Sequence, residues 1–192
     1  MVQTKKAALI IIDMLNDFFE SQDDYDRATL TQSINKLAEE ARSSDLPVIW
    51  VRQEFQPDLD DAFRDMQKKR IVKTIRGTPG CQFLPELDVR RTDREIVKKR
   101  YSAFFGTCLD ELLNELEVNC LIVAGINTHA CVRMTAIDAY QRDMEVIIAK
   151  DCVASYDPEH HAVSLRYLDG KIARVLSRDE IRASIIPDSN RL

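Results

Sequence analysis

Residues 121–142 read LIVAGINTHACVRMTAIDAYQR. Leu121, Ile122, Val123 and Ala124 form the short apolar run expected of a strand buried on both faces, and residues 125–130 carry no apolar period. From Cys131 the pattern becomes helical, with Val132, Ala136, Ala139 and Tyr140 recurring at spacings of three and four. Strand, turn and helix in that order predict one unit of a parallel α/β sheet, with a cysteine delivered at the first turn of the helix. Unpaired backbone N–H groups and the positive end of the helix dipole favour an anion there, so the sequence predicts a lowered pKa for Cys131. The same N–H groups suit an oxyanion developing beside the sulfur. Most free cysteines are small buried hydrophobes, however, and position alone leaves both roles open.

Outward from this stretch the same alternation repeats. The run AALIII at residues 7–12 ends in Asp13, and further strands are predicted at 48–51, 95–98, 146–149 and 173–176. Between them, Leu30, Ile34, Leu37, Ala38 and Ala41 mark one face of a helix, and Thr107 with Asp110 marks a helix start before Leu109, Leu112, Leu113 and Leu116. Asp157, Pro158 and Glu159 supply an N-cap, a first-turn proline and a first-turn acid for a helix closed by Gly170. Ser177 and Glu180 form a capping box for the last helix. The prediction is a single-domain, three-layer α/β/α fold over residues 1–192, with a Rossmann-like six-stranded parallel sheet in the order 3-2-1-4-5-6. Residues 52–80 break the rhythm and are a candidate lid or partner-facing insert, with a short exposed helix over 61–69.

With 192 residues the chain suits one domain with a substantial core, and its net charge of −5 carries no long Lys/Arg block. Nucleic acid and anionic membrane surfaces are therefore not expected partners. The first apolar run is broken by Asp13 with no small-residue cleavage site after it, which predicts a mature cytoplasmic protein. Five cysteines at scattered spacings, with no CxxC pair, suggest free thiols rather than a disulfide framework or a zinc site.

In parallel α/β sheets, ligands sit beyond the carboxyl ends of the strands, which selects Asp13, residues 52–55, residues 98–105 and residues 127–131. Three ionisable groups there suit one another: Asp13, one of Lys98 and Lys99, and Cys131. A carboxylate can take a thiol proton and return it, while an ammonium steadies the negative charge that develops. Each also has a plainer role, Asp13 as a turn residue and either lysine as a solvated strand end. No GxGxxG or P-loop pattern is present to cradle a phosphate.

Three segments, ALIIIDMLNDFF at 8–19, KKRYSAFFGT at 98–107 and AGINTHACVRMTAIDAY at 124–140, together resemble the isochorismatase-like cysteine hydrolases. That family includes nicotinamidases, N-carbamoylsarcosine and ureidoacrylate amidohydrolases, and isochorismatase. The resemblance implies an Asp13, Lys98, Cys131 triad, with the K-x-R-Y-S-A-F pattern choosing Lys98. Alternation along a strand sends Lys98 and Lys99 to opposite sides, so only one can serve. It also implies a non-proline cis peptide just before Asn127, whose backbone N–H would join that of Cys131 as an oxyanion hole.

The departures are informative. Nicotinamidases carry an Asp-x-His motif and further histidines after the second strand, where they bind a metal that holds the pyridine nitrogen. Here that stretch is Arg52, Gln53, Glu54, Phe55, Gln56, Pro57, and the histidines are His129, His160 and His161. No metal and no cofactor is therefore expected. Gln53 and Glu54 become candidates for selecting substrate polarity, and Phe18, Tyr101, Phe104, Phe105 and His129 candidates for the pocket. His160 and His161 fit surface or packing positions. The expected activity is hydrolysis of a C–N bond in a small amide, carbamoyl or ureido compound through a thioester, by a protein that the resemblance implies is a homo-oligomer. Two alternatives stand beside it: an isochorismatase-type vinyl ether hydrolase that works by proton donation from Asp13, and a non-catalytic α/β module with Cys131 as a redox-sensing thiol.

Overall fold

A computed structural model describes residues 6–20 and 26–184. Six strands, β1 (Ala7–Ile12), β2 (Val48–Gln53), β3 (Arg94–Lys98), β4 (Cys120–Ile126), β5 (Glu145–Ala154) and β6 (Arg174–Leu176), form one parallel sheet in the order β3-β2-β1-β4-β5-β6. The predicted fold and strand order are both present.

Because side chains alternate along a strand, β1 feeds two cores. Ala7, Leu9 and Ile11 join Leu30, Ile34, Leu37, Ala38 and Ala41 of α1 (Arg27–Ser43), with Ile181 of α6 (Arg178–Ser184). Ala8, Ile10 and Ile12 instead meet Leu109 and Leu113 of α3 (Leu109–Glu115), Ala136 and Ala139 of α4 (Arg133–Tyr140) and Leu168 of α5 (Pro158–Leu168). Continuous apolar strands follow from helices covering both faces.

The caps explain where helices begin. Asp26 accepts from Thr29 N–H, Asp157 from His160 N–H, and Ser177 and Glu180 exchange bonds as predicted. Thr107 and Asp110 do not make a capping box. The Thr107 hydroxyl accepts from Leu109 N–H, two residues on, and donates to the Ala103 carbonyl, so it closes a turn rather than capping α3. Tyr140, expected on the buried stripe of α4, is 49 % exposed, whereas Val132, Ala136 and Ala139 are buried in the core on that face of the sheet. β5 runs on past Lys150 and Asp151, whose exposed side chains resemble a strand end, and regains register with β4 after an irregularity between Val123 and Gly125.

The segment after β2 holds α2 (Arg64–Lys69) and folds around its own small core of Phe55, Leu59, Ala62 and Ile75. At the other side of β1, Ile12 pairs with Gly125 in β4. Gly125 has φ +105°, and a Cβ there would stand 2.1 Å from the Ile12 carbonyl oxygen. Only glycine lets these two strands run together up to the point where Asp13 and Asn127 leave the sheet.

Candidate active site

Asp13 turns the chain off β1 with φ 56°, a left-handed conformation that aspartate tolerates better than most residues. Its N–H donates to the Val51 carbonyl, and its Oδ1 accepts from Gln53 N–H at 2.9 Å. The carboxylate is thus fixed between β1 and β2. Lys98, at the end of β3, is fully buried, with Nζ 2.7 Å from Asp13 Oδ2, 3.0 Å from the Arg100 carbonyl and 3.4 Å from Cys131 Sγ. The ammonium is thereby held by an ion pair to Asp13 and by hydrogen bonds to the Arg100 carbonyl and Cys131 Sγ. Lys99 points away, pairing with Asp61 at 2.8 Å and donating to the Glu54 carbonyl. Alternation along β3 has separated the two lysines as expected.

Cys131 is 6 % exposed, but it does not open an α-helix. The Ile126–Asn127 bond is cis, a π-helical turn spans Thr128–Val132, and α4 starts only at Arg133. Two bonds on either side hold this elbow. Thr135 donates to the Cys131 carbonyl at 2.7 Å and accepts from Ala103 N–H, tying α4 to the turn after β3. Thr128 donates to the Ala154 carbonyl, so its oxygen accepts from His161 Nδ1 at 2.9 Å.

The lowered pKa expected for Cys131 is not found. Burial, then the charge of Asp13 and a hydrogen bond to it, push the thiol up to about 12 against the opposing pull of Lys98. A helix dipole lowers a thiol pKa at a solvated first turn, whereas this sulfur is buried beside a carboxylate. Burial works against the Lys98 ammonium as well, but Asp13 and Cys131 more than offset it and hold its pKa above the usual lysine value. The resting state is an Asp13–Lys98 ion pair with a protonated thiol in hydrogen-bond contact with it.

Above this floor lies a cavity of about 410 Å³ lined by Asp13, Cys131, Asn127, Gln53 and His129, with Phe18, Tyr101, Met134 and Tyr156 as walls. Three predicted lining residues are not there. Glu54 is buried to the side, paired with Arg52 at 2.6 Å and Arg76 at 2.9 Å, because its neighbour Gln53 takes the inward face at the end of β2. Phe104 joins the core beneath α3 and α4, with Arg142 stacked 4.3 Å over its ring, and Phe105 beside it is 64 % exposed. The turn after β3 thus sends Tyr101 alone of these aromatics to the cavity.

Met134 and Tyr156 were not anticipated. Met134 is three residues beyond Cys131, where helical spacing puts it over the same face, and that signal was present in the sequence. Tyr156 reaches the cavity from the loop after β5, packed edge-on to His129 at 5.1 Å, and no local pattern foretells the path of that loop.

A family model, the isochorismatase domain, matches residues 7–180. The chain belongs to the isochorismatase family. Its relatives include an uncharacterized isochorismatase family protein of Bacillus subtilis, 30 % identical over 90 % of this chain and 94 % of that one. Among solved structures, an isochorismatase family protein from Desulfovibrio vulgaris matches with TM-score 0.84 and 26 % identity, covering 93 % of this chain and 99 % of that one. N-carbamoylsarcosine amidase from Thermoplasma acidophilum matches with TM-score 0.78 and 28 % identity, covering 92 % and 98 %. As a member of this family, the protein is a hydrolase. Among its described residues, no group of three or more His, Cys, Asp and Glu side chains converges as metal ligands, and no helix is long and apolar enough to cross a membrane.

Proposed function

We propose that this member of the isochorismatase family is a metal-independent cysteine hydrolase that cleaves a C–N bond of a small amide, carbamoyl or ureido compound. The reading rests on one observation, Lys98 Nζ set between Asp13 Oδ2 at 2.7 Å and Cys131 Sγ at 3.4 Å on the cavity floor. Asp13 accepts the Cys131 proton as the thiolate attacks the carbonyl carbon. A thiol held near 12 by burial and by Asp13 needs such an acceptor in contact with it. The tetrahedral oxyanion is held by the backbone N–H groups of Asn127 and Cys131. Asp13 then gives its proton to the departing nitrogen, the C–N bond breaks, and a thioester remains. Water, losing a proton to Asp13, hydrolyses the thioester and restores the thiol.

An ether-cleaving reaction by proton donation from Asp13 would leave Cys131 without a task, and its contact with both charged partners favours the amide chemistry. The similarity to N-carbamoylsarcosine amidase points the same way. Ammonia release from a panel of small amides, ureas and N-carbamoyl compounds, with and without EDTA, tests the proposal. Turnover of an N-carbamoyl or ureido substrate should survive exhaustive chelation, and nicotinamide should be a poor substrate. Nicotinamide hydrolysis that chelation abolishes would overturn the reading.

A further inference from the structure

The reaction accounts for the floor of the cavity, where β1 and β3 deliver Asp13 and Lys98, but not for its β5 side. His129 is half-buried and lines the cavity with Cys131. Its Nδ1 lies 2.6 Å from Ser155 Oγ, and its ring stands at right angles to that of Tyr156, so two residues directly after β5 fix its place. The second ring nitrogen, Nε2, is neither closed off from solvent nor hydrogen-bonded among the described residues.

Ser155 decides which nitrogen carries the ring hydrogen. A serine hydroxyl has one hydrogen to give and lone pairs with which to accept. Ser155 Oγ accepts from Asp157 N–H at 3.1 Å, and its own hydrogen then falls to His129 Nδ1. Were Nδ1 the donor, Oγ would accept twice and its hydrogen would have no acceptor among the described residues. Burial outweighs the charge of Asp157 and, with His160, holds the His129 pKa below the ordinary histidine value, so the ring is neutral at pH 7 with a single hydrogen. With Nδ1 accepting, that hydrogen is on Nε2. Nε2 then has no lone pair for a proton, which makes His129 a donor to a ligand and not a second base.

We propose that His129 is a specificity-determining residue whose Nε2–H donates to a second acceptor oxygen of the substrate, placed on the β5 side of the scissile carbonyl. This deepens the hydrolase reading and rests on it for the identity of the scissile group. The class that fits is a ureide with a further carbonyl, such as an acylurea or the amide of an N-carbamoyl amino acid. A ligand oxygen that replaces water on this N–H keeps the hydrogen bond, whereas a methyl group in its place forfeits it.

The chain has only three histidines, His129, His160 and His161, so nitrogen-15 spectra of histidine-labelled wild-type protein read the His129 tautomer directly, with single substitutions to assign the signals. The Nε2–H form is expected. Two matched pairs of ligands then test the donor: acetylurea against isopropylurea, and N-carbamoylglycinamide against isobutylurea, each pair exchanging a carbonyl oxygen for a methyl group. NMR titration of the Cys131→Ala protein reads binding without turnover. In at least one pair the carbonyl compound should bind about fivefold to tenfold more tightly. Added to that protein, His129→Gln keeps an amide N–H near the Nε2 position and should retain most of the preference. His129→Asn, whose amide reaches only the Nδ1 position, should lose it.

A His129 ring protonated on Nδ1, no preference for the carbonyl compound in either pair, no binding of either carbonyl compound, a preference that survives His129→Asn, or one that His129→Gln abolishes would each overturn the proposal. The hydrolase reading fails separately, if the wild-type protein shows the preference yet releases no ammonia from the favoured ureide.

Discussion

Cys131 and Cys152 are both buried free thiols, one in each of the two cores that flank the sheet, and burial as the leading cause pushes each up to about 12. Their surroundings differ in kind. Cys152 packs in β5 with the apolar layer beneath α1 and α6, and the charges it feels, from Asp151, Arg178 and Glu40, lie around that strand. Cys131 touches a carboxylate and an ammonium and faces a cavity. A high thiol pKa is thus no sign of inertness by itself. The proton needs somewhere to go at the moment of attack, and Asp13 provides that at one of the two positions only.

The largest expected effect separates the two thiols directly. Cys131→Ala should lower turnover of the best amide or ureide substrate by roughly a thousandfold or more, since it removes the covalent path. Cys152→Ala should keep that turnover and lose about 1 kcal/mol of stability from the small cavity it leaves. Steady-state ammonia release and urea denaturation of both variants measure this, and equal losses of activity would erase the distinction.

A sharper version removes the acceptor and keeps the thiol. Asp13→Asn should cut turnover by roughly 10²- to 10⁴-fold. The same change takes away the carboxylate charge and hydrogen bond that raise the Cys131 pKa and leaves Lys98, which lowers it. Cys131 should then be alkylated by iodoacetamide at lower pH than in the wild type, while Cys152 is unmoved. Peptide mapping across a pH series reads both cysteines in one experiment. A Cys131 profile that stays put or moves upward would break the comparison.

The smallest effect concerns the support of the elbow. Burial, then the nearby His129, holds the pKa of His161 below its ordinary 6.5, so the unfolded chain binds its proton more readily than the folded one. The stabilising contribution of neutral His161 is present above pH 6.5 and is lost as pH falls through the lower folded value. The urea midpoint of the wild type should therefore drop more steeply below pH 6.5 than that of His161→Gln. Parallel curves would show that protonation of this residue does not load the Thr128 turn.

The sheet was legible because its strands are covered on both faces, which leaves runs such as AALIII and LIVA with no competing period. Asp13 and Lys98 could be grouped with Cys131 since the first follows a strand, the second ends one, and the third lies past the turn after another. Side-chain direction past a strand end was harder to read. Gln53 and Glu54, or Tyr101, Phe104 and Phe105, differ in orientation by turn geometry that no periodicity records. The raised thiol pKa was hidden for a related reason. It depends on how dry the turn is and on which carboxylate touches it, and both are products of packing between β1, β3 and the elbow.

Gly125 sets the terms on which this site can change over time. Every other amino acid carries a Cβ, and one at this position would press on the Ile12 backbone and pry β1 from β4 at the level of the nucleophile. Residues such as Gln53, Met134 and Tyr156 can be exchanged one at a time as new substrates come under selection, but no single exchange at 125 leads to a working neighbour. A library built to redirect the specificity of this enzyme should diversify the walls freely and leave that one hydrogen atom alone.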